Sequence, residues 1–558
     1  MSDLAALGPL VVDVDASTSA LPGVEALPAL LIVVPILAAT VPLVLGLKFE
    51  RTGWSVALVT CLGLFAATIA VARDVFTAGE QRTVYHEVGG YPAPYGIELV
   101  ADEFSTMIAL LIAGTALGVL AYTRVGGPRG STFYAGYLLL TGGLFGLSFT
   151  GDAFNMFVFL EIVGLATYGL VAKGDAAESA VAALKYLILS TLGASLYLLG
   201  VGLLFMATGH LNMEYLGDAI AEGVDSPELV AASFAFVFVG FAIKVAQWPL
   251  HTWQPDAYQR APDGVTPLIA ALVSTVSAYA LGRVLFTVYG PEFVTETPFV
   301  REVILTVGVA SVMAGSITAV MQRDVKRMLA YSSVSQFGLI VAAYGIATQT
   351  ALIGAIVHLI GHGLMKAGLF MGVGVVAAGY GARRVREYAG LADHRPVAAA
   401  SIAVLGIALI GIPPSIGFVG KWYIALGSVQ AEVWTVAAVI FLSTMLTLLY
   451  VARLLEAMYF TPATPTESPH APGLATDGGA PIEPDGGDES ADGAPSDGSG
   501  SGGVARTAGG EGVDASAVSF GMLAIVVATA VLAVALGFAG EPFWDALEPF
   551  VEEVFADE

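Results

Sequence analysis

Five ionisable side chains stand inside long apolar stretches: Glu161 in AFNMFVFLEIVGLATYGL, Lys185 in ALKYLILSTLGAS, Lys244 in FVGFAIKVAQWPLHTWQPDAY, Lys366 in IVHLIGHGLMKAGLFMG and Lys421 in GIPPSIGFVGKWYIAL. One charge at the centre of a bilayer helix costs at least ~2.5–3.5 kcal/mol on insertion scales, so such residues usually line an ion or proton path. One carboxylate and four amines make a polar chain rather than a pocket. His358, His362 and Lys366 recur at i, i+4 and i+8 and therefore share one face of a helix. Three chemistries compete for that stripe. A metal site would want a further carboxylate, His or Cys, and nothing adjacent offers one. Satisfied interhelical hydrogen bonds with no transport role are the second. The third is a proton relay, in which imidazoles exchange protons with buried lysines, and the surrounding lysines favour it.

The elements that must position these groups are apolar spans of about 20 residues, the length that crosses a bilayer core. About 14 are predicted, over 27–47, 54–72, 103–122, 133–150, 153–172, 179–208, 229–249, 266–289, 302–322, 327–347, 350–378, 397–427, 432–459 and 516–538. The predicted fold is thus an all-α polytopic membrane protein. Of the 558 residues 56% are hydrophobic and only 13% charged, which no soluble globule could bury. The net charge of -24 excludes a nucleic-acid binder, and the single Cys61 excludes a disulfide framework, an iron–sulfur centre or an all-Cys zinc site.

Orientation follows from Lys and Arg, which cytoplasmic loops carry in excess. Loops after odd-numbered spans hold fifteen, from Lys48 to Arg506, and the other side holds Arg73, Arg82 and Arg301. That places the odd loops in the cytoplasm of a cell-membrane protein and both termini outside. The acidic N-terminus does not read as a cleaved signal peptide. From 461 to 515 a Pro/Gly/Ser/Asp stretch reads as a disordered cytoplasmic linker, and EPFWDALEPFVEEVF reads as an amphipathic helix along the outer interface. Sixteen Arg against seven Lys, with acidic exposed segments, point to a salt-rich habitat.

Two spans carry internal breaks, at Pro249 in KVAQWPLHTW and at Pro413–Pro414 in GIPPSIGFVGK. Interrupted helices in matched positions of two halves are the best sequence pointer to an ion site. With spans 4 to 8 (131–290) and 9 to 13 (300–460) as two inverted five-helix repeats, the breaks fall in spans 7 and 12, the fourth member of each. Residues 1–130 supply three leading helices and 516–558 the last helix and an acidic tail.

GDAFNMFVFLEIVGLATYGLVA, GFAIKVAQWPLHTWQPDAY, KRMLAYSSVSQFGLIVAAYG, HLIGHGLMKAGLFMGVG and GIPPSIGFVGKW resemble, in family order, the antiporter-like membrane subunits shared by Mrp-type Na+/H+ antiporters and respiratory complex I. The resemblance covers about 30–460, and the GFVGKW ending most resembles the D-type Mrp antiporter protein, with the quinone-proximal complex I subunit close behind. It implies a half-channel in spans 4 to 8 holding Glu161 and Lys244, a second in spans 9 to 13 holding Lys366 and Lys421, and Lys185 with the two histidines between them. In that picture the separation of Glu161 from Lys244 decides whether the lysine keeps its proton. Asp152 matches an acidic motif position, either a proton-uptake group or a helix N-cap, and Lys326 with Arg327 matches a basic loop motif whose simplest role is orientation. One departure stands out: Thr275 occupies the place in span 8 where the family usually has a lysine. Arg283 lies on the same helix but cannot release a proton.

The sequence therefore supports three functions. A subunit of a multi-subunit cation (Na+)/proton antiporter comes first, with other membrane subunits, protons, Na+ and the bilayer as partners. A proton-pumping subunit in the membrane arm of an NADH/quinone oxidoreductase-type complex is the second, and a non-conducting structural subunit, favoured by Thr275, the third. No Cys cluster and no G-x-G-x-x-G after a strand is present, so no cofactor is expected on this chain.

Overall fold

The computed structural model describes residues 23–49, 52–77, 83–174, 176–462 and 518–556. The 461–515 linker lies almost wholly outside the described residues, as does the N-terminal stretch. Thirteen helices among the described residues are long and apolar enough to cross a membrane. In chain order they are α1 (Val24–Gly46), α2 (Gly53–Thr77), α3 (Glu103–Gly126), α4 (Ser131–Phe149), α5 (Ala153–Val171), α6 (Ala177–Thr208), α7 (Pro227–Lys244), α8 (Thr266–Glu296), α9 (Val300–Met321), α10 (Val325–Ile346) and α11 (Gln349–Tyr380), then α13 (Trp434–Tyr459) and α14 (Phe520–Phe538). The predicted twelfth span is present as two half-helices of α12, Pro396–Ile410 and Ile416–Gln430.

Both expected breaks exist. α7 ends at Lys244 and resumes as Leu250–Thr252 and Trp253–Arg260; between them Ala246 holds a left-handed φ of 58°. α8 is also irregular: π turns at Ile269–Val273 and Val284–Tyr289 flank a regular segment, Ser274–Arg283. Nothing in the sequence had signalled this, because a π turn needs no Pro or Gly.

Asp152 caps α5 by accepting from the Asn155 amide, and Asp324 caps α10 by accepting from the Arg327 amide. Each junction pairs with the segment after the following long helix, Asp152 with Asn212 and Asp324 with Arg384, as isolated antiparallel bridges. The backbone bonds correspond: Ala153 N to Leu211 O (2.8 Å) and Met213 N to Gly151 O (2.8 Å), against Val325 N to Arg383 O (2.9 Å) and Val385 N to Arg323 O (2.9 Å). α6 and α11 both end on a left-handed glycine, Gly209 and Gly381. One chain interval relates 152 to 324, 209 to 381 and 212 to 384. The two junctions are five crossings apart, an odd number, so they face opposite ends of the bundle.

The apolar middles of α8 and α11 are wholly enclosed, and that of α10 nearly so. α2, α6, α13 and α14 instead present large apolar side chains outward, including Leu62, Ile188, Phe441 and Val531. That inside-out gradient suits a bundle solvated by lipid. Two elements differ from expectation. A two-stranded antiparallel hairpin, β1 (Val84–Glu87) with β2 (Glu98–Ala101), lies ahead of α3. The amphipathic tail is helix α15 (Gly540–Val554), but Leu547, Phe550 and Val551 are buried against protein rather than laid on lipid. Phe550 packs at 5.6 Å on Phe104 and Trp544 at 5.5 Å on Tyr423.

Candidate functional site

α5, α6 and α7 bring the first group together. Lys244, the last residue of α7 before its break, is buried and lies 3.9 Å from Glu161 on α5. Its ammonium donates to Leu160 O (3.2 Å) and Ser190 Oγ on α6 (2.8 Å). Ser190 is a ligand that sequence reasoning passed over, because a serine in an apolar helix carries no charge signal. The close approach of α6 to α7 that makes this possible needs Gly193 and Gly240, where a Cβ would come within 2.9 and 2.6 Å of the other glycine's carbonyl oxygen.

α10, α11 and α12 make the second group. Lys366 donates to Leu329 O (2.7 Å) and, in a very short contact, to Ser332 Oγ, both on α10. His358 Nε2 meets Gln336 Oε1 at 2.9 Å, while His362 packs edge-on against Phe337 at 4.6 Å. Lys421 lies past the break in α12, yet its ammonium reaches back to Leu409 O (3.1 Å) and Ile410 O (2.9 Å). It thereby satisfies the open C-terminal carbonyls of the first half-helix, at the negative end of that helix dipole. Both lysines that the sequence placed near breaks sit at them.

Lys185 belongs to neither group. Its ammonium pairs with Asp256 Oδ2 at 2.7 Å, on the short helix that follows the α7 break, and both side chains are about a third exposed. Asp256 Oδ1 also binds Arg327 at 3.1 Å. Asp263 is shared in the same way, by Lys326 (3.0 Å) and Arg383 (3.2 Å). Burial pushes the Asp263 carboxyl up, but the two cations outweigh it and hold it below the usual range. Lys326 and Arg327 are thus clamped by two carboxylates from the segment joining α7 to α8. Asp256 was legible only as part of the WQPDAY motif.

Several buried polar atoms of these elements have no protein partner: both polar side-chain atoms of Gln247, His251 Nδ1, Gln254 Oε1, Thr275 Oγ1, His358 Nδ1 and both His362 nitrogens. Buried polar atoms are normally hydrogen-bonded, and ordered water is what satisfies such groups where protein does not. Thr275 is completely buried on α8, where a hydroxyl can bond to such water but cannot store a charge. Arg283, two turns further along, is committed elsewhere. It makes a bidentate pair with Asp102 at the start of α3 (2.6 and 2.7 Å) and sits among the rings of Phe104, Tyr279 and Phe550. Among the described residues no three His, Cys, Asp or Glu side chains gather as a metal site.

A helical bundle of this span count, with charged side chains held at two broken helices and unpartnered polar atoms buried within it, is a multi-pass membrane protein of the antiporter-like class. Residues 150–447 match the family described as NADH:quinone oxidoreductase/Mrp antiporter, transmembrane, and the chain belongs to that family. It is 39% identical over 464 residues to the NADH-quinone oxidoreductase subunit N of Desulforudis audaxviator, covering 80% of this chain and 90% of that one. It is 32% identical over 414 residues to the D-type protein of the Na(+)/H(+) antiporter of Bacillus subtilis, covering 74% and 82%. Among solved structures, a chain of the Mrp complex from Dietzia sp. DQ12-45-1b superposes with a TM-score of 0.80 at 25% identity, over 96% of this chain and 98% of that one. The motifs alone put the antiporter protein first; by identity the oxidoreductase relative stands above the antiporter one.

Proposed function

We propose that the chain is the proton-translocating membrane subunit of a multi-subunit cation/proton antiporter in the cell membrane, working beside other membrane subunits and with both termini outside. The observation that carries this is the Glu161–Lys244 pair at 3.9 Å, beside the α7 break. A lysine held by one carboxylate, one hydroxyl and one carbonyl has its charge balanced only while Glu161 stays close. Movement of the carboxylate removes most of that balance and favours proton release. His358 and His362 carry protons on toward Lys366 and Lys421, and Thr275 passes protons through its hydroxyl and water rather than storing charge. Residues 131–290 and 300–460 act as two inverted half-channels, a reading supported by the matched Asp152 and Asp324 junctions. Sodium is the cation the antiporter relative names.

Glu161→Gln and Lys244→Ala are each expected to abolish proton-coupled cation exchange in everted vesicles while leaving the complex assembled. Unchanged exchange in both variants overturns the proposal. The 39% identity to an oxidoreductase relative favours a second reading, redox-driven proton pumping in a quinone oxidoreductase membrane arm. Purification of the native complex separates the two, since cofactor-bearing partner subunits would establish the second and small antiporter subunits the first.

A further inference from the structure

Asp256, like Asp263, joins the two halves of the bundle, and it does so while also holding Lys185. On one side it binds Lys185 of α6 at 2.7 Å; on the other it binds Arg327 of α10 at 3.1 Å, and Gln259 Oε1 shares that guanidinium at 3.0 Å. Each partner lies close along its helix to a ligand of a buried lysine. Lys185 precedes Ser190, which accepts from Lys244, by little more than one turn. Arg327 is two residues before Leu329 and five before Ser332, the two acceptors of Lys366. The path Lys244–Ser190–α6–Lys185–Asp256–Arg327–α10–Leu329–Lys366 is thus continuous in hydrogen bonds, ion pairs and single helical turns.

The neighbourhood explains why this contact and not the adjacent one is suited to transmit a change. Asp263 is held on one side by the exposed Arg383 and on the other by the buried Lys326, whose ammonium is further fixed by Ala261 O at 2.8 Å. Asp256, Lys185 and Arg327 are each about a third exposed, so water can replace any one contact at low cost. The Arg327 guanidinium also rests 5.7 Å over the Tyr331 ring, a second place to lean when Asp256 lets go. A rigid clamp beside an exchangeable one gives α10 a fixed pivot at Lys326 and an adjustable tether at Arg327.

We infer that Asp256 is a positioning residue that couples the two half-channels: its carboxylate is divided between Lys185 and Arg327, so displacement of Lys185 tightens its hold on Arg327 and shifts the α10 acceptors of Lys366. This rests on the translocation reading above. Coupling elements of this kind change function without touching the transported ion.

The test uses the intact complex in everted vesicles, following proton-driven cation exchange, with Glu161→Gln as the reference. Asp256→Asn is expected to lower maximal turnover about 3- to 10-fold, with the apparent cation KM unchanged, as a coupling defect does. Asp256→Glu, which keeps the shared charge, restores most of the rate. Lys185→Gln and Arg327→Gln are expected to lose no more in combination with Asp256→Asn than the single variants do, since all three break one unit. If Glu161→Gln abolishes exchange while Asp256→Asn leaves both turnover and KM at wild-type values, the inference falls and the functional proposal stands. If neither variant affects exchange, the functional proposal falls. Should Asp256→Asn fail to assemble, the Lys185→Gln and Arg327→Gln cycle decides: non-additive losses support the coupling, and strictly additive ones overturn it.

Discussion

Removing the Asp102 carboxylate perturbs two structures at once, and the size of the effect follows from their geometry. Asp102 holds Arg283 through two parallel contacts of 2.6 and 2.7 Å, with only 8% and 10% of the two side chains exposed. The same Oδ1 accepts from the Ser105 amide at 2.9 Å, and Ser105 Oγ accepts in turn from the Asp102 amide, a reciprocal cap on α3. Breaking a buried pair by deleting one partner costs about 3–5 kcal/mol, because the other charge stays buried and uncompensated. The loss of an N-cap adds about 1 kcal/mol. Asp102→Ala should therefore lower the local opening free energy at the α3–α8 contact by about 4–5 kcal/mol, the two terms sharing one oxygen and so falling short of their sum. Asp102→Asn keeps the cap and should cost less. Replacing both partners, Asp102→Asn with Arg283→Met, should recover part of the loss, since an apolar substitute for a buried pair is often nearly neutral. Hydrogen exchange on the detergent-solubilised complex reads this directly: amides at the start of α3 should lose roughly three orders of magnitude of protection in Asp102→Ala, at ~1.4 kcal/mol per tenfold. Less than a threefold loss, or a double variant worse than Asp102→Asn alone, refutes the reasoning.

Gly420→Ala should separate the second half of α12 from α11, because a Cβ there would stand 2.6 Å from His358 Cα and 2.7 Å from its amide, both backbone atoms that cannot step aside. Its expected signature is loss of transport with Lys421 still present; a variant with wild-type exchange contradicts that packing. At the α15 end, a cavity of ≈ 550 Å³ gathers Glu98, Glu214 and Glu553. Burial raises all three carboxyls, with Asp218 adding to it at Glu214, Asp102 and Glu214 at Glu553, and Glu214 and Glu87 at Glu98, where a bond from Asn212 opposes the rise. A raised carboxyl disfavours the folded arrangement when ionised, so docking of α15 should tighten as pH falls from neutral toward the ordinary glutamate range near ~4.3 and loosen as it rises. The depressed Asp263 behaves oppositely, holding its contribution until pH falls through its lowered value. Exchange protection over 540–554 should therefore rise on acidification while the Lys326 region stays level; a fall over 540–554 would contradict the assignment.

Much of this was legible in one dimension because its causes are local. Thirteen membrane-length helices among the described residues follow from runs of apolar residues long enough for a bilayer, and two breaks from Pro249 and Pro413–Pro414. A carboxylate or amine in hydrocarbon announces itself, so Glu161, Lys185, Lys244, Lys366 and Lys421 stood out without any contact being known. Asp152 stood out before an apolar run, but the sequence left a proton-uptake group and a helix N-cap equally open, and the structure shows the cap. Family membership was carried by five motifs in order.

What the chain alone withheld is pairing across distance. The sequence offered Lys185 as a bridge between half-channels, but its partner, Asp256, lies across a helix break and shares its other oxygen with Arg327. The ligands Ser190, Ser332 and Gln336 are neutral residues whose importance exists only because a lysine or histidine of another helix faces them. The π turns of α8 and the burial of α15 against Phe104 likewise depend on neighbours rather than on composition. Apolar length and isolated charge determine which segments enter the membrane and which residues are costly there. Only the packed bundle decides which of those costs are offset, since hydrogen bonds and ion pairs act over a few ångströms between residues that the chain keeps far apart.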